Sequence, residues 1–333
     1  AFADQNHAPS LTCVRLESSV HFCDFKIYEV NELMKQKNGF SGQLGFVFAA
    51  AGSAVGVGNL WRFPYLAAKD GGGLFLIIYL ILVFTVGFTL LTTDIAIGRK
   101  TGKSAIYAYQ EMKKKWKFLG ILTFFVPVLI MTYYAVIGGW ILKYITIYLT
   151  GSGKEAVESN CFTNFISSPS SVWFGLIFMF LTALIVYNGV EKGIERVSKF
   201  IMPILLLMVI GIAIFSLTLK HPLEDGTVRT GLQGLKVYLT PDVKGLTVTR
   251  FLQISLDAMS QLFFSLSVSM GIMITYGSYV KKDVNLNKSI SQIELMDTGV
   301  ALLAGVMIIP AVYVFSGLDG MSGGPGLMFL SLP

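Results

Sequence analysis

The chain has 333 residues, 53% of them hydrophobic and 14% charged, with a formal net charge of +6. A soluble domain carries about 25% charged residues, and a nucleic-acid surface gathers Lys and Arg on one face of a folded domain. Here the charges fall between long apolar runs, which sets both classes aside, and no nucleic-acid partner is expected.

Residues 1–37 read as an N-terminal tail, polar and disordered, with no apolar stretch of the kind a signal peptide needs. Met34 opens a segment, MKQKNGFSGQ, that looks like a native start, so residues 1–33 are expected to be partly non-native read-through. A bilayer core of about 30 Å takes roughly 20 apolar helical residues. Lipid offers no partner to a free amide or carbonyl, so an apolar run of that length must be helical. Leu74–Ile97, Ile121–Leu149, Val172–Val186, Phe200–Leu219 and Ala301–Phe315 fit this description, and none shows the alternation of a porin strand. Gly45–Ala68 and Phe251–Ser278 are long enough to span but carry Gly, Ser, Asn, Asp and Gln. The count is seven crossings, with the first and sixth unusual. Basic clusters follow the second span (Arg99 to Lys117), the fourth (Lys192, Arg196, Lys199) and the sixth (Lys281, Lys282, Lys288). The positive-inside rule puts those loops and the N-terminus in the cytoplasm of a multi-pass inner-membrane protein. The last loop, ending at Pro333, reads as one that continues, so the chain is expected to be part of a longer protein.

The first span reads GFVFAAAGSAVGVGNLWRFPYLAAKDGGG. Gly52 and Gly56 could be a small-residue packing face, but packing leaves Asn59 and Arg62 at membrane depth unexplained. An arginine at the helix centre costs at least ~2.5–3.5 kcal/mol and normally faces water or a partner. Glycines ahead of Pro64 let the helix unwind; the freed carbonyls suit a hard cation, and the amides opening the second half suit a carboxylate. The sixth span, FLQISLDAMSQLFFSLSVSMGIMITYGSYV, places Ser265, Ser267 and Ser269 at alternate positions. Each two-residue step turns about 200° on a helix, so the three cannot share a face. An extended, unwound segment accounts for the alternation better. Broken helices at corresponding positions predict a transporter of two inverted five-helix repeats. Residues 38–219 are then the first repeat and 220–333 the start of the second.

GSAVGVGNLWRFPY with DGGG, then GIERVSKFIMP, QLFFSLSVSMG and ITYGSYV, resemble the neurotransmitter:sodium symporter family, most closely its bacterial amino-acid transporters. The resemblance covers about residues 38–333. It implies an all-α integral membrane fold of LeuT type, with broken first and sixth helices and an incomplete second repeat. It also implies sodium as the coupling ion and an amino acid as the substrate. In that reading the carbonyl of Ala54, the side chain of Asn59 and both oxygens of Ser265 hold a first sodium. Asp297 stands where the family usually has asparagine. The carbonyls of Gly52 and Val55 give half of a second sodium site. The substrate carboxylate meets amides near Val57 and Gly58, the Tyr134 hydroxyl and the first sodium. Its ammonium meets the carbonyls of Ala54, Phe264 and Ser265 and the Ser267 hydroxyl. Ile130, Tyr134, Phe264, Ser267 and Met270 line the side-chain pocket, and Phe263 reads as ordinary packing. Arg62 matches an outer gate. Lys37, Phe40 and Tyr279 stand at the cytoplasmic gate, where Lys37 and Phe40 replace the family's Arg and Trp. The family's chloride position on the seventh helix is Ala301, one turn past Asp297, which favours chloride independence.

Two readings from other classes remain: an ion channel or amino-acid sensor on the same scaffold, and an inactive fragment. An enzyme is not expected, because His7, His21 and His221 lie outside the apolar core and no nucleophile–base pair is visible. Asp94 and Asp257 are the remaining charged residues within spans; for Asp94, near the cytoplasmic end of the second, snorkelling or a local ion pair is the simplest account, and proton coupling through either acid stays open. The exact amino acid and the oligomeric state are not legible.

Overall fold

The computed structural model describes residues 39–158, 160–223 and 227–317. The N-terminal tail, with Lys37, and the loop after Gly317 lie outside them.

The first span is two helices, α1 (Gln43–Ala54) and α2 (Phe63–Lys69), joined through a π-helical turn at Gly58–Arg62. Its halves bend by 51°. The break falls at Val55, whose extended backbone (φ −73°, ψ 112°) ends α1, and not at Pro64. Pro64 sits in the first turn of α2, where a missing N–H is tolerated. The second span runs through α3 (Gly73–Leu82), a π turn at Val83–Gly87 and α4 (Phe88–Thr101). A short amphipathic helix, α5 (Ala105–Met112), leads to α6 (Lys117–Leu149), the third span. Two small helices, α7 (Gly153–Ala156) and α8 (Cys161–Ile166), precede α9 (Ser170–Tyr187). The fifth span is α10 (Arg196–Thr218), entered through a π turn at Val190–Glu195. An antiparallel pair, β1 (Lys220–Pro222) and β2 (Val228–Thr230), leads into α11 (Gly231–Leu239), which opens on a Thr230–Gln233 capping box.

Helix α12 (Val248–Ser265) and helix α13 (Ile272–Gly277) form the sixth span, and α14 (Leu286–Ser316) the seventh. The sixth is broken at 266–271, but its backbone is not extended as the serine alternation predicts. Ser267 (φ 52°), Ser269 (φ 61°) and Gly271 (φ 76°) take left-handed conformations. Alternating helix hand explains the two-residue period as well as a strand would. Among the described residues five helices are long and apolar enough to cross a bilayer, and the bent α1–α2 pair makes six. The sixth span is too polar and too interrupted to qualify on length and composition, so the predicted seven crossings rest on its place in the fold.

Between helices in lipid the hydrophobic drive is weak, and close approach of small residues takes its place. A methyl at Gly98 would lie 1.9 Å from the Ile274 carbonyl and one at Gly277 2.3 Å from that of Ile95, so α4 and α13 meet backbone to backbone. Gly139 meets Gly175 in the same way, joining α6 to α9. The centre is filled by Phe63, Phe75 and Tyr79, whose rings pack edge-on or stacked 5.0–6.0 Å apart. Outward, α6, α9 and α10 expose Leu129, Phe180, Leu207 and Phe215, a surface that suits hydrocarbon rather than water.

Candidate ion and substrate site

The two broken helices and α14 bring together the buried side chains Asn59, Ser265 and Asp297. Asn59 Nδ2 donates to Asp297 Oδ1 at 2.8 Å and to the Asp297 carbonyl at 3.0 Å. Ser265 Oγ stands 3.0 and 2.9 Å from Asp297 Oδ1 and Oδ2. Asn59 Oδ1 accepts from the Gly56 amide at 3.2 Å, which holds the carboxamide against the break. No Lys or Arg pairs with Asp297 among the described residues. A carboxylate buried with only neutral donors lacks the counter-charge that normally offsets several kcal/mol of desolvation. Its contacts are the Asn59 amide nitrogen and the Ser265 hydroxyl, while the Asn59 amide oxygen faces the break where the last carbonyls of α1 have no successor amides in the helix; carboxylate, hydroxyl, amide and carbonyl oxygens are thus the donors on offer. That donor set suits a hard monovalent cation.

A cavity of about 550 Å³ opens beside this cluster, lined by Val57, Trp61, Arg62, Tyr133, Tyr134, Ser260, Phe263, Phe264 and Met270. Of the residues predicted for substrate, Val57, Tyr134, Phe264 and Met270 line it. Ala54, Gly58, Ser265 and Ser267 are buried behind it, and Ile130 is half-buried on α6 outside the lining. Gly58 is needed for the packing itself: a methyl there would sit 2.9 Å from the Phe264 ring. Tyr134 and Phe264 are tilted against each other at 6.3 Å. Phe263, read as packing from sequence, is on the cavity wall. Gly52, offered as a carbonyl ligand, also packs tightly on Ser198 of α10.

Arg62 stands on the cavity wall. It donates to Ser260 Oγ at 2.8 Å and to Gln261 Oε1 at 3.2 Å, and lies 5.5 Å over the Phe264 ring. Gln261 in turn donates to the Gly58 carbonyl at 3.0 Å. Farther out, Lys69 pairs with Asp257 at 2.9 Å, and Arg250 stands 3.6 Å from the fully buried Asp70. Burial pushes the Asp70 carboxyl up to about 6, with the Lys69 cation pulling the other way. At the opposite end the Phe40 amide donates to the Tyr279 carbonyl at 3.3 Å, and Phe40 packs edge-on against Tyr276. Ser41, Lys199 and the buried Glu195 are hydrogen-bonded together beside them.

Two buried acids are more than the sequence reading made of them. Asp94 does not snorkel and forms no ion pair among the described residues: it accepts from the Ser269 amide at 2.7 Å and is 5% exposed. It therefore pins the unwound segment that carries Ser267 and Met270. Glu294, on α14, is 4% exposed and was not singled out by any motif.

The sequence profile of the Sodium:neurotransmitter symporter family matches residues 37–172 and 160–333, nearly the whole described chain. The chain belongs to this family. It is 38% identical over 300 residues to the uncharacterized sodium-dependent transporter YhdH of Bacillus subtilis, covering 88% of this chain and 63% of that protein. It is 25% identical to the human sodium- and chloride-dependent GABA transporter 2, over 90% of this chain and 55% of that one. Among solved structures it matches MhsT in complex with L-phenylalanine at 38% identity and a TM-score of 0.78, over 89% of this chain and 65% of that one. The chain thus spans less than two thirds of the length of these relatives. They are transporters by name, not enzymes, and with its apolar helices the chain is a multi-pass membrane protein of the LeuT-type fold.

Proposed function

We propose that this symporter chain forms the ion- and substrate-binding part of a sodium-coupled transporter for a hydrophobic or aromatic L-amino acid, working by alternating access in the cell's inner membrane. The observation that carries this reading is the buried Asp297 carboxylate held by Asn59 and Ser265 with no cation paired to it among the described residues. Sodium there would touch the Ala54 carbonyl, Asn59, Ser265 and Asp297. A second sodium would take the carbonyls of Gly52 and Val55. Sodium supplies a fixed positive charge against which a substrate carboxylate can rest, together with the amides of Val57 and Gly58 and the Tyr134 hydroxyl. An aromatic or branched side chain fits the apolar wall of Phe264 and Met270, whose flexible thioether yields to different shapes. The solved relative bound to L-phenylalanine supports that class. Arg62 outside and Tyr279 with Lys37 inside would gate the two faces, with the N-terminus cytoplasmic.

The test is equilibrium binding of a labelled hydrophobic amino acid to the full-length protein in sodium and in potassium buffer. Because the ion and the substrate share a contact, each should raise the other's affinity by the same factor. Equal affinity in both buffers would sink sodium coupling. Competition by glycine alone, without leucine, phenylalanine or tryptophan, would overturn the assigned substrate class.

A further inference from the structure

The turn between α5 and α6 carries charge that the ion and substrate site does not use. Residues 99–118 hold Arg99, Lys100, Lys103, Lys113, Lys114, Lys115 and Lys117 against a single acid, Glu111. Glu111 pairs with Lys103 at 2.7 Å, and Arg99 donates to the Val284 and Lys282 carbonyls at 2.8 and 2.5 Å. Lys113, Lys114, Lys115 and Lys117 are all exposed, and no carboxylate pairs with them among the described residues.

An apolar surface starts where these lysines stop. Phe118, Ile121, Leu122 and Phe125 of α6 are exposed and suit hydrocarbon. Trp116 stacks on Phe118 with ring centroids 6.5 Å apart, and both rings are exposed. An indole, apolar in body with one polar N–H, settles at the headgroup level of a bilayer. The lysines flank Trp116 on a single 3-10 turn, Lys114–Trp116, and so stand at the same level. Their seat is firm. Helix α5 buries Ala105 and Ala108 against Ile274 of α13, and a methyl on Gly120 of α6 would lie 2.5 Å from the Ile106 carbonyl.

Steering of topology during insertion accounts for the lysines by number alone. It does not account for an exposed, stacked Trp116–Phe118 pair set among them. A phospholipid accounts for both, with its phosphate on the ammonium groups and its glycerol and upper acyl region on the rings. With the N-terminus cytoplasmic, as proposed above, the turn lies on the side whose leaflet has a negative surface potential. We propose that Lys113, Lys114, Lys115 and Lys117, with Trp116 and Phe118 setting their depth, form a docking site for the headgroups of anionic phospholipids.

The experiment uses Trp116 as its own reporter. The full-length protein is placed in phosphatidylcholine nanodiscs containing increasing amounts of brominated phosphatidylglycerol or brominated phosphatidylcholine, bromine being a contact quencher of indole fluorescence. The Trp116 contribution is the difference between the wild type and Trp116→Phe. Phosphatidylglycerol should quench it with an affinity about tenfold or more above that of phosphatidylcholine, as expected where several lysines meet an anionic lipid. Lys113→Gln, Lys114→Gln, Lys115→Gln and Lys117→Gln together should abolish the preference, and the four corresponding arginine substitutions should keep it. Equal quenching by the two lipids, or none by either, overturns the proposal. So does a preference that survives the glutamine substitutions, which would assign it to basic residues elsewhere, or one lost with arginine. If the glutamine variant does not fold, salt decides in the wild type. At about 1 M, where charges are screened beyond about 3 Å, the preference should vanish, and a preference unchanged by salt overturns the site.

Discussion

At the scale of single residues the unwound segment of the sixth span carries backbone strain, and a hydrogen bond from its middle reaches across to the second span. Ser267 and Ser269 are non-glycine residues in the left-handed region, where such strain costs on the order of 1 kcal/mol each. Asp94 offsets part of that through its 2.7 Å bond to the Ser269 amide. A hydrogen bond to a charged group contributes about 1.5–3 kcal/mol. Asp94→Ala should therefore loosen the segment and weaken amino-acid binding by roughly 10- to 140-fold, with sodium dependence intact. Adding Ser269→Gly should recover part of the loss, because glycine adopts the same φ without strain. Binding isotherms of the two variants check this, and a double variant no better than Asp94→Ala would show that backbone strain is not what Asp94 opposes.

At the scale of elements, glycines that look alike in sequence do different work. Gly52 leaves room for Ser198, Gly58 admits the Phe264 ring, and a methyl on Gly56 would meet nothing within 4 Å. Gly277 and Gly98 lie outside that motif, yet they let α13 and α4 touch through their backbones. Gly277→Ala should force the helices apart and destabilise the protein by about 1–3 kcal/mol or more, as overpacking does. Gly56→Ala should cost little through contacts. Thermal unfolding in detergent separates the two, and equal melting temperatures would count against the close approach. The contrast shows why some elements were legible and others were not. Apolar length is local, so five spans could be read directly from the chain. The break in the first span was legible because glycines and an arginine at depth are anomalies within a single window. The sixth span's break was legible, but its geometry was not: serines at every second position fit a strand and an alternation of helix hand equally well. The α4–α13 contact and the bond from Asp94 to Ser269 join residues 175 or more positions apart, and no window contains both.

At the scale of the whole molecule, the ion cluster ties both predicted repeats together: Asn59 comes from the first, Ser265 and Asp297 from the second. A single buried carboxylate therefore sets the charge of a site to which three spans contribute. The sodium reading needs one fixed negative charge beside the cation, supplied by protein or by a bound anion. Asp297 supplies it covalently, and Ala301, one turn on, has no hydroxyl with which to help hold an anion. Uptake by the wild type should thus be insensitive to chloride. Asp297→Asn keeps the size and the ability to accept from Asn59 and Ser265 but removes the charge, so uptake in chloride-free buffer should fall by tenfold or more. That corresponds to a loss of about 1.4 kcal/mol or more in binding the ion. Chloride should then restore part of it, because an anion bound beside the cation would replace the lost charge. The measurement is sodium-driven amino-acid uptake by the full-length protein with chloride or gluconate as the only anion. Wild-type uptake that climbs steeply with chloride would show that the Asp297 carboxylate does not provide the charge.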